Sequence, residues 1–315
     1  MNVSAPGKLF LAGEYAVLSG GTAVVAAIDR RVVAHFVPGA KPSTPLVAET
    51  LRVVRETNHA GVRPFADGAP EIDSSALSEG GLKLGLGSSA AVAAAAVGVL
   101  LEEAGIDLAE ELPFAWKLAY LAHRAAQGGR GSGADVAVAV FGGVIAYSRR
   151  TSGRQLNAVQ PLAPTPPGEL VVFRAGAPSA TVEHLRAVER LAERDPVGHA
   201  ARLREIGEAA ERFLRAYQDR QPAALLEAVR QSYGALEALG RDADLPIVTP
   251  PLVAAAALAG ECRGAAKPSG AGGGDVGVAF FPDPESAEAF RMRAPKLDLP
   301  ILDIKTGARG LARDD

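Results

Sequence analysis

Cysteine is almost absent from this 315-residue chain, with Cys262 the only one. A single thiol excludes an intramolecular disulfide and a cysteine-based zinc site, and it suits a reducing compartment, with Cys262 read as a small buried apolar residue. Excess charge of one sign is also lacking. The 33 Lys and Arg stand against 36 Asp and Glu, a formal net charge of -3, so no broad basic field exists to attract nucleic acid or an anionic membrane, and neither is expected as a partner. Long hydrophobic runs are missing too. The longest, Ala90 to Leu101, has 12 residues and is rich in alanine, against the roughly 20 needed to span a bilayer. The opening MNVSAPGKLFLAGEYAVL has no basic region before an apolar run and no small-residue cleavage site, so no secretory signal is read and a cytoplasmic location is expected.

What remains is an ordinary globular composition, 48% hydrophobic and 22% charged, long enough for two domains with separate cores. Leu9 to Leu18 and Thr22 to Phe36 carry short apolar runs broken by Gly13, Gly20 and Gly21, which predicts buried strands in an early hairpin or meander. After the loop Pro38 to Pro45, a helix places Leu46, Val47, Leu51 and Val54 on one face. Ala60 to Pro70 is turn-rich, and Glu71 to Ser75 reads as a short strand. The clearest helix is Ser88 to Ala104, opening on serines and stopping before Gly105; a second covers Leu112 to Gln127. Ala134 to Phe141 reads as a short helix or turn, and Val144 to Ser148 as a strand.

The segment QPLAPTPPG, Gln160 to Gly168, holds four prolines and marks the expected boundary between an N-terminal domain, 1–160, and a C-terminal domain, 168–315. Beyond it come a strand in GELVVFRAG and three charged helices from Ala180 to Leu239, whose Glu/Arg-rich faces are read as solvated. An alanine-rich helix, Leu252 to Ala259, a glycine loop leading into a strand, a helix around Pro284 to Arg293 and a strand around Leu299 to Lys305 complete an α+β layer.

Three glycine loops carry the chemistry. In LGLGSSAAVAAAAVGVLL, Leu84 to Leu101, glycines and serines precede an alanine-rich helix, where free N–H groups and the helix macrodipole would favour a phosphate. A glycine turn capped by serine ahead of a core helix is the alternative. No GxxxxGK[ST] is present, and the GLG of this stretch is not followed by the third glycine of GxGxxG, so a phosphate site here would be of another kind. The second loop, GGRGSGAD, Gly128 to Asp135, ends in an acid that is either a helix cap or a carboxylate at the lip of a cavity. The third, KPSGAGGGDVG, Lys267 to Gly277, has more glycine than a plain turn needs. That suggests either a backbone wrapping closely around something or a flexible hinge. Lys8, in SAPGKLFLAGE, reads by itself as an exposed strand-end lysine. Taken together, the three loops, the two lysines, the serine pair and the lone acid suit phosphoryl transfer, which needs anion cradles, a metal ligand, charge neutralisation and a base.

PGKLFLAGEYAVL, GLGSSAA and KPSGAGGGD, in this order, resemble the three motifs of the GHMP small-molecule kinases, named for galactose, homoserine, mevalonate and phosphomevalonate. The chain is identified as a member of that family on motifs that run from residue 5 to residue 277. The resemblance implies an α+β fold: an N-terminal β/α domain of ribosomal-protein-like type, a C-terminal ferredoxin-like domain, and an active site in the cleft between them. It implies ATP and Mg2+, with the phosphates against Gly85, Leu86, Gly87, Ser88, Ser89, Ala90 and Ala91. Ser88 would be the magnesium ligand, with Ser89 as the alternative. Lys8 would stabilise the transferring charge, and Asp135 would act as base or orient the acceptor oxygen. The acceptor would be held by Lys8, Glu14, Tyr15, Lys83, Arg124, Ser132, Gly133 and Asp135, together with Ser269, Gly270, Ala271 and Gly272.

Within the family the details lean towards members acting on phosphomevalonate. Tyr15 stands where mevalonate kinases typically carry histidine, Lys83 precedes the second motif where they have proline and glycine, and AHRAAQGGRGSGAD is similar to the phosphomevalonate branch. Arg124 occupies the position, eleven before Asp135, where mevalonate kinases typically place a magnesium-binding glutamate. An arginine cannot hold magnesium but can clasp a phosphate, which fits a phosphorylated acceptor and leaves the rest of the metal shell open. Arg30, Arg31 and Arg130 are further phosphate contacts or else solvated surface arginines. A small phosphorylated acceptor and ATP are the expected partners, and a monomer or homodimer the expected assembly. The rival expectations are a family kinase acting on a neutral alcohol such as mevalonate, and a binding protein that keeps the fold without turnover.

Overall fold

The computed structural model describes residues 1–59, 61–149, 158–176 and 181–314. Ala60 and Ala180, where two of the segments read from sequence begin, lie outside the described residues. The chain forms β1 (Asn2–Ala12), β2 (Thr22–Pro38), α1 (Pro45–Arg55), β3 (Gly68–Asp73), β4 (Ser78–Glu79), β5 (Leu82–Lys83), α2 (Ser88–Glu103), α3 (Leu112–Ala126), α4 (Ala134–Phe141) and β6 (Val144–Ser148). It continues with β7 (Ala158–Leu162), β8 (Glu169–Arg174), α5 (Thr181–Arg194), α6 (Pro196–Gln218), α7 (Pro222–Asp242), α8 (Pro250–Glu261), β9 (Ala265–Pro268), β10 (Val276–Phe281), α9 (Pro284–Arg293), β11 (Ile301–Leu302) and β12 (Ala312–Asp314). Two compact units result. The first gathers Met1–Leu9, Ala26–Ile145 and Lys305–Asp315, the second Phe10–Val25 and Ala146–Ile304.

In the first unit β1 and β2 are neighbours in one sheet, the early pairing that the apolar runs predict. β1 begins at Asn2, well ahead of Leu9, because Asn2, Val3 and Ser4 pair with antiparallel β12, Asn2 opposite Asp314, and Val3, Ser4 and Ala5 are buried. β3 pairs antiparallel with β2, Val33 opposite Asp73 and Pro38 opposite Gly68. The first helix starts as its sequence directs: Thr44 Oγ1 accepts from Val47 N at 3.2 Å, with Pro45 in the first turn. α2 is apolar all round and buried along Ala93 to Leu101, which makes it a core helix rather than an amphipathic one. It packs against α1, α3 and α4. Gly98 lets it approach closely, since a Cβ there would stand 2.8 Å from both Val3 and Leu311 side chains.

Arg31 turns out to be a clamp rather than a phosphate contact. Its Nε donates to Ser4 Oγ at 2.8 Å, Nη2 to the carbonyls of Ser4 at 2.8 Å and Gly310 at 2.7 Å, and Nη1 to the Arg309 carbonyl at 2.7 Å. Burial, followed by the Arg309 charge, holds this guanidinium below its ordinary value, while Asp314 pushes it up. Arg31→Ala should therefore loosen the C-terminal strand, costing roughly 2 kcal/mol. Urea unfolding and amide exchange at 310–314 would check this, and unchanged protection there would contradict it.

The second unit holds a four-stranded antiparallel sheet in the order β11-β8-β10-β9. One core packs Val171, Phe173, Phe281 and Phe290 with α8 and α9, and another packs Tyr15 with Leu191, Ile206, Leu236 and Ile247. Three differences from the sequence reading stand out. Ala265–Pro268, whose Lys267 and Pro268 the sequence reading places in the third glycine loop, is strand β9. β11 is only Ile301–Leu302, shorter than Leu299 to Lys305, because Pro300 has no N–H for a ladder. Gln160 to Leu162, placed in the proline linker, lies in β7 at the end of its sheet, where an edge strand tolerates Pro161.

Candidate active site

The first glycine loop ends in two left-handed residues, Gly85 at φ 70 and Gly87 at φ 79, a conformation that favours glycine. Gly87 rather than a serine caps α2. Its carbonyl accepts from Ala90 N and Ala91 N at 3.1 Å, and neither serine caps the helix through its side chain. Ser88 and Ser89 are instead the first helical residues. The N–H groups of Gly85, Leu86, Gly87, Ser88 and Ser89 have no acceptor among the described residues. A row of such donors at the start of a helix is an anion cradle.

Lys8 lies against this row. It is 8% exposed in the body of β1, not an exposed strand-end residue. Its backbone N donates to Leu86 O at 2.8 Å and its Nζ to Gly85 O at 3.3 Å. The aliphatic stem runs along Gly87, where a Cβ would stand 2.6 Å from Lys8 Cγ. Gly87→Ala thus combines a positive φ with a clash, and it should weaken ADP binding by roughly tenfold or more. Calorimetric titration would measure this, and unaltered affinity would show that the loop geometry is not required.

The two serines differ. Ser89 Oγ lies 3.1 Å from His123 Nε2, whereas the Ser88 hydroxyl has no hydrogen-bond partner among the described residues. Ser88 is therefore the hydroxyl available to a metal. Magnesium keeps several waters and takes one or two protein oxygens beside those of phosphates. That demand is compatible with finding, among the described residues, no cluster of three or more His, Cys, Asp or Glu able to hold a metal.

The second loop runs from α3 into α4. Gly133, at φ 85, caps α4, so Asp135 is not the cap. It is the acid of the first turn, half-buried, and its Oδ1 accepts from Val136 N at 3.0 Å. Ser132 is buried and its Oγ accepts from Ala134 N at 3.2 Å. Arg124 braces the loop: its Nε donates to Gly129 O at 2.9 Å and its Nη1 to Tyr120 Oη at 3.3 Å. Lys83 is exposed on β5 opposite Ser78, and Arg30 and Arg130 are half-buried.

In the second unit the first and third motifs hold each other. Glu14 and Lys267 form a fully buried ion pair. Burial drives the Lys267 ammonium below its ordinary value, and the Glu14 carboxylate partly opposes this. Glu14 Oε1 also accepts from Gly270 N at 3.4 Å, and its Oε2 is buried without a hydrogen-bond partner among the described residues. The Tyr15 hydroxyl donates to Ala271 O at 2.6 Å, and burial, then Glu14, raises its ionisation well above the usual phenol range, keeping it a donor. Ser269 Oγ donates to Phe10 O at 3.0 Å. Gly272, at φ 77, passes so close to Ile247 that a Cβ would stand 2.5 Å from its carbonyl oxygen. Much of this glycine-rich segment thus wraps its own chain. A separate cavity of about 660 Å3, lined by Ala16, Thr22, Leu203, Arg204 and Arg215 among others, contains none of the candidate site residues named from sequence.

His123, Gln127 and His184 escaped the sequence reading. His184 Nδ1 lies 3.0 Å from Ala271 O. Buried histidines carry no periodic signal, and only the quoted AHRAAQGG contained two of the three. No described helix is long and apolar enough to cross a membrane.

An α+β chain with a free row of N–H donors at a helix start, beside a buried lysine, has the features of a phosphoryl-transfer protein. Models of the GHMP kinases N terminal domain and GHMP kinases C terminal match residues 45–143 and 199–296. The phosphomevalonate kinase of Streptomyces sp. (strain CL190) is 31% identical, with 96% of this chain and 97% of that one aligned. A mevalonate kinase of Thermococcus gammatolerans is 30% identical over 91% and 90%. The solved structure of Streptococcus pneumoniae phosphomevalonate kinase in complex with phosphomevalonate and AMPPNP superposes with a TM-score of 0.81 over 97% of this chain and 99% of that one, at 21% identity. The chain belongs to the GHMP kinase family, and its α+β fold is the one its motifs imply.

Proposed function

We propose that the protein transfers the γ-phosphoryl group of ATP to 5-phosphomevalonate, giving ADP and 5-diphosphomevalonate. The cradle of free N–H groups from Gly85 to Ser89 beside Lys8 carries this reading. These donors would bind nucleotide phosphate oxygens, and Lys8 would hold the charge shared among the transferring oxygens. Asp135 would orient the acceptor. An oxygen of the acceptor phosphate forms the new bond to the γ phosphorus as its bond to the bridging oxygen of ADP breaks. With a second pKa of about 6, that acceptor is already largely ionised near neutrality, so a strong base matters less than relief of repulsion between two anions. Magnesium, when bound at Ser88 and the phosphates, would supply further neutralisation. Nucleotide binding is assigned to the N-terminal domain, 1–160, with the third motif in the C-terminal domain, 168–315, and a cytoplasmic monomer or homodimer as the working form.

A second reading, mevalonate as acceptor, draws on the Thermococcus relative. Steady-state ADP release with magnesium ATP and 5-phosphomevalonate, mevalonate, homoserine or galactose separates the two. Turnover confined to phosphomevalonate supports the first, preference for mevalonate replaces it, and silence on all four favours a binding protein. Arg124→Ala should raise KM for phosphomevalonate about tenfold, with a smaller change for ATP; equal effects on both would remove Arg124 from acceptor recognition.

A further inference from the structure

The C-terminal end of α3 carries a buried polar group that the reading above leaves without a task. His123 is 4% exposed, and its Nε2 lies 3.1 Å from Ser89 Oγ and 3.1 Å from Gln127 Nε2. Ser89 is the last residue of the cradle. Gln127 faces the other loop, since a Cβ at Gly131 would stand 2.9 Å from its Oε1. The neighbouring Arg124 joins the same loop through Nε to Gly129 O at 2.9 Å, with Gly129 N returning a bond to Arg124 O at 2.8 Å. One helix end therefore touches both the loop that presents the N–H row and the loop that leads to Asp135.

A buried imidazole costs free energy unless its nitrogens are paired. Here the Nε2 partner is a hydroxyl at the mouth of the cradle rather than a carbonyl of its own helix. Nε2 stands within hydrogen-bond distance of both the Ser89 hydroxyl and the Gln127 amide, whichever tautomer the ring holds. That fixes the Ser89 rotamer and tethers the start of α2 to α3.

We infer that His123, with Gln127, is a positioning residue that sets the cradle of the first glycine loop in register with the second loop; this rests on the phosphoryl-transfer reading. The test is calorimetric titration of the full chain with magnesium ADP, with thermal unfolding followed alongside. His123→Leu keeps the bulk and removes the ring nitrogens, and it should weaken binding about tenfold. His123→Gln, whose amide reaches the place of Nε2, should restore affinity to within about threefold of the unaltered protein. His123→Leu combined with Ser89→Ala should lose no more affinity than His123→Leu alone, the mark of two groups acting through one contact. Unchanged affinity in His123→Leu, failure of His123→Gln to restore it, or losses that multiply in the double variant would each overturn the inference. If His123→Leu does not fold, the half-buried Gln127→Leu takes its place, with about a threefold loss expected and the same non-additivity with Ser89→Ala. An unaltered protein that binds no nucleotide removes the kinase reading and the inference with it, whereas normal binding with indifferent variants removes the inference alone.

Discussion

Lys8→Met should lower kcat by roughly 10²- to 10³-fold while the protein stays folded. Methionine keeps most of the aliphatic stem that lies along Gly87, so packing is largely preserved and the charge is what is lost. That charge stands within 3.3 Å of the Gly85 carbonyl at the edge of the N–H row. In a site this sheltered, a cation acts on developing negative charge with little screening. Asp135→Asn should cost less, because an already ionised acceptor phosphate has no proton to surrender. Turnover at saturating ATP and acceptor, with a melting curve for each variant, decides the matter. A larger loss in Asp135→Asn than in Lys8→Met would mean that base catalysis dominates, and the acceptor would then have to be an alcohol.

The largest stability effect is expected at the buried pair beneath the third motif. Glu14→Gln or Lys267→Met alone should destabilise the protein by about 3–5 kcal/mol, because each leaves an uncompensated charge in the interior. The environment is already demanding: among the described residues Glu14 Oε2 is buried without a hydrogen-bond partner, and burial depresses the Lys267 ammonium. The double variant Glu14→Gln/Lys267→Met should recover much of the loss, since replacing both charges removes the penalty that breaking the pair creates. Urea unfolding followed by circular dichroism measures all three. Single variants as stable as the unaltered chain would show that the pair contributes nothing, and a double variant as unstable as the sum of its parts would show that the two residues do not act together. Loss of the pair should also disturb the bonds from Tyr15 to Ala271 and from Ser269 to Phe10 that fasten the first motif to the third.

Much of the fold was legible where the signals are local. α4 runs from Ala134 to Phe141, and β6 from Val144 to Ser148, as the sequence predicts, because Gly133 and Gly142 punctuate an apolar run at both ends. α9 occupies Pro284–Arg293 behind the Asp283 cap, whose Oδ1 accepts from Ser286 N at 2.9 Å. Short strands defined mainly by their pairing partners were not legible. Ala265–Pro268 and Ala312–Asp314 lack alternation, and each is a strand because β10 or β1 offers it a ladder. The serine pair was placed correctly at the start of α2, but its expected capping role went to Gly87.

The two motif lysines show where local pattern ends. Lys8 and Lys267 were both read from sequence as cations associated with the glycine-motif constellation. Sequence by itself determined the glycine loops, the helices they open and the family to which such loops belong, since these depend on backbone freedom and short-range periodicity. Tertiary structure alone decided that Lys8 would lie along the first cradle while Lys267 would be locked to Glu14, 253 residues away. It also decided that His123 would reach Ser89, and that Phe10–Val25 would join the second unit. These outcomes depend on which surfaces are desolvated together, and burial and ion pairing between distant residues leave no periodic trace along the chain.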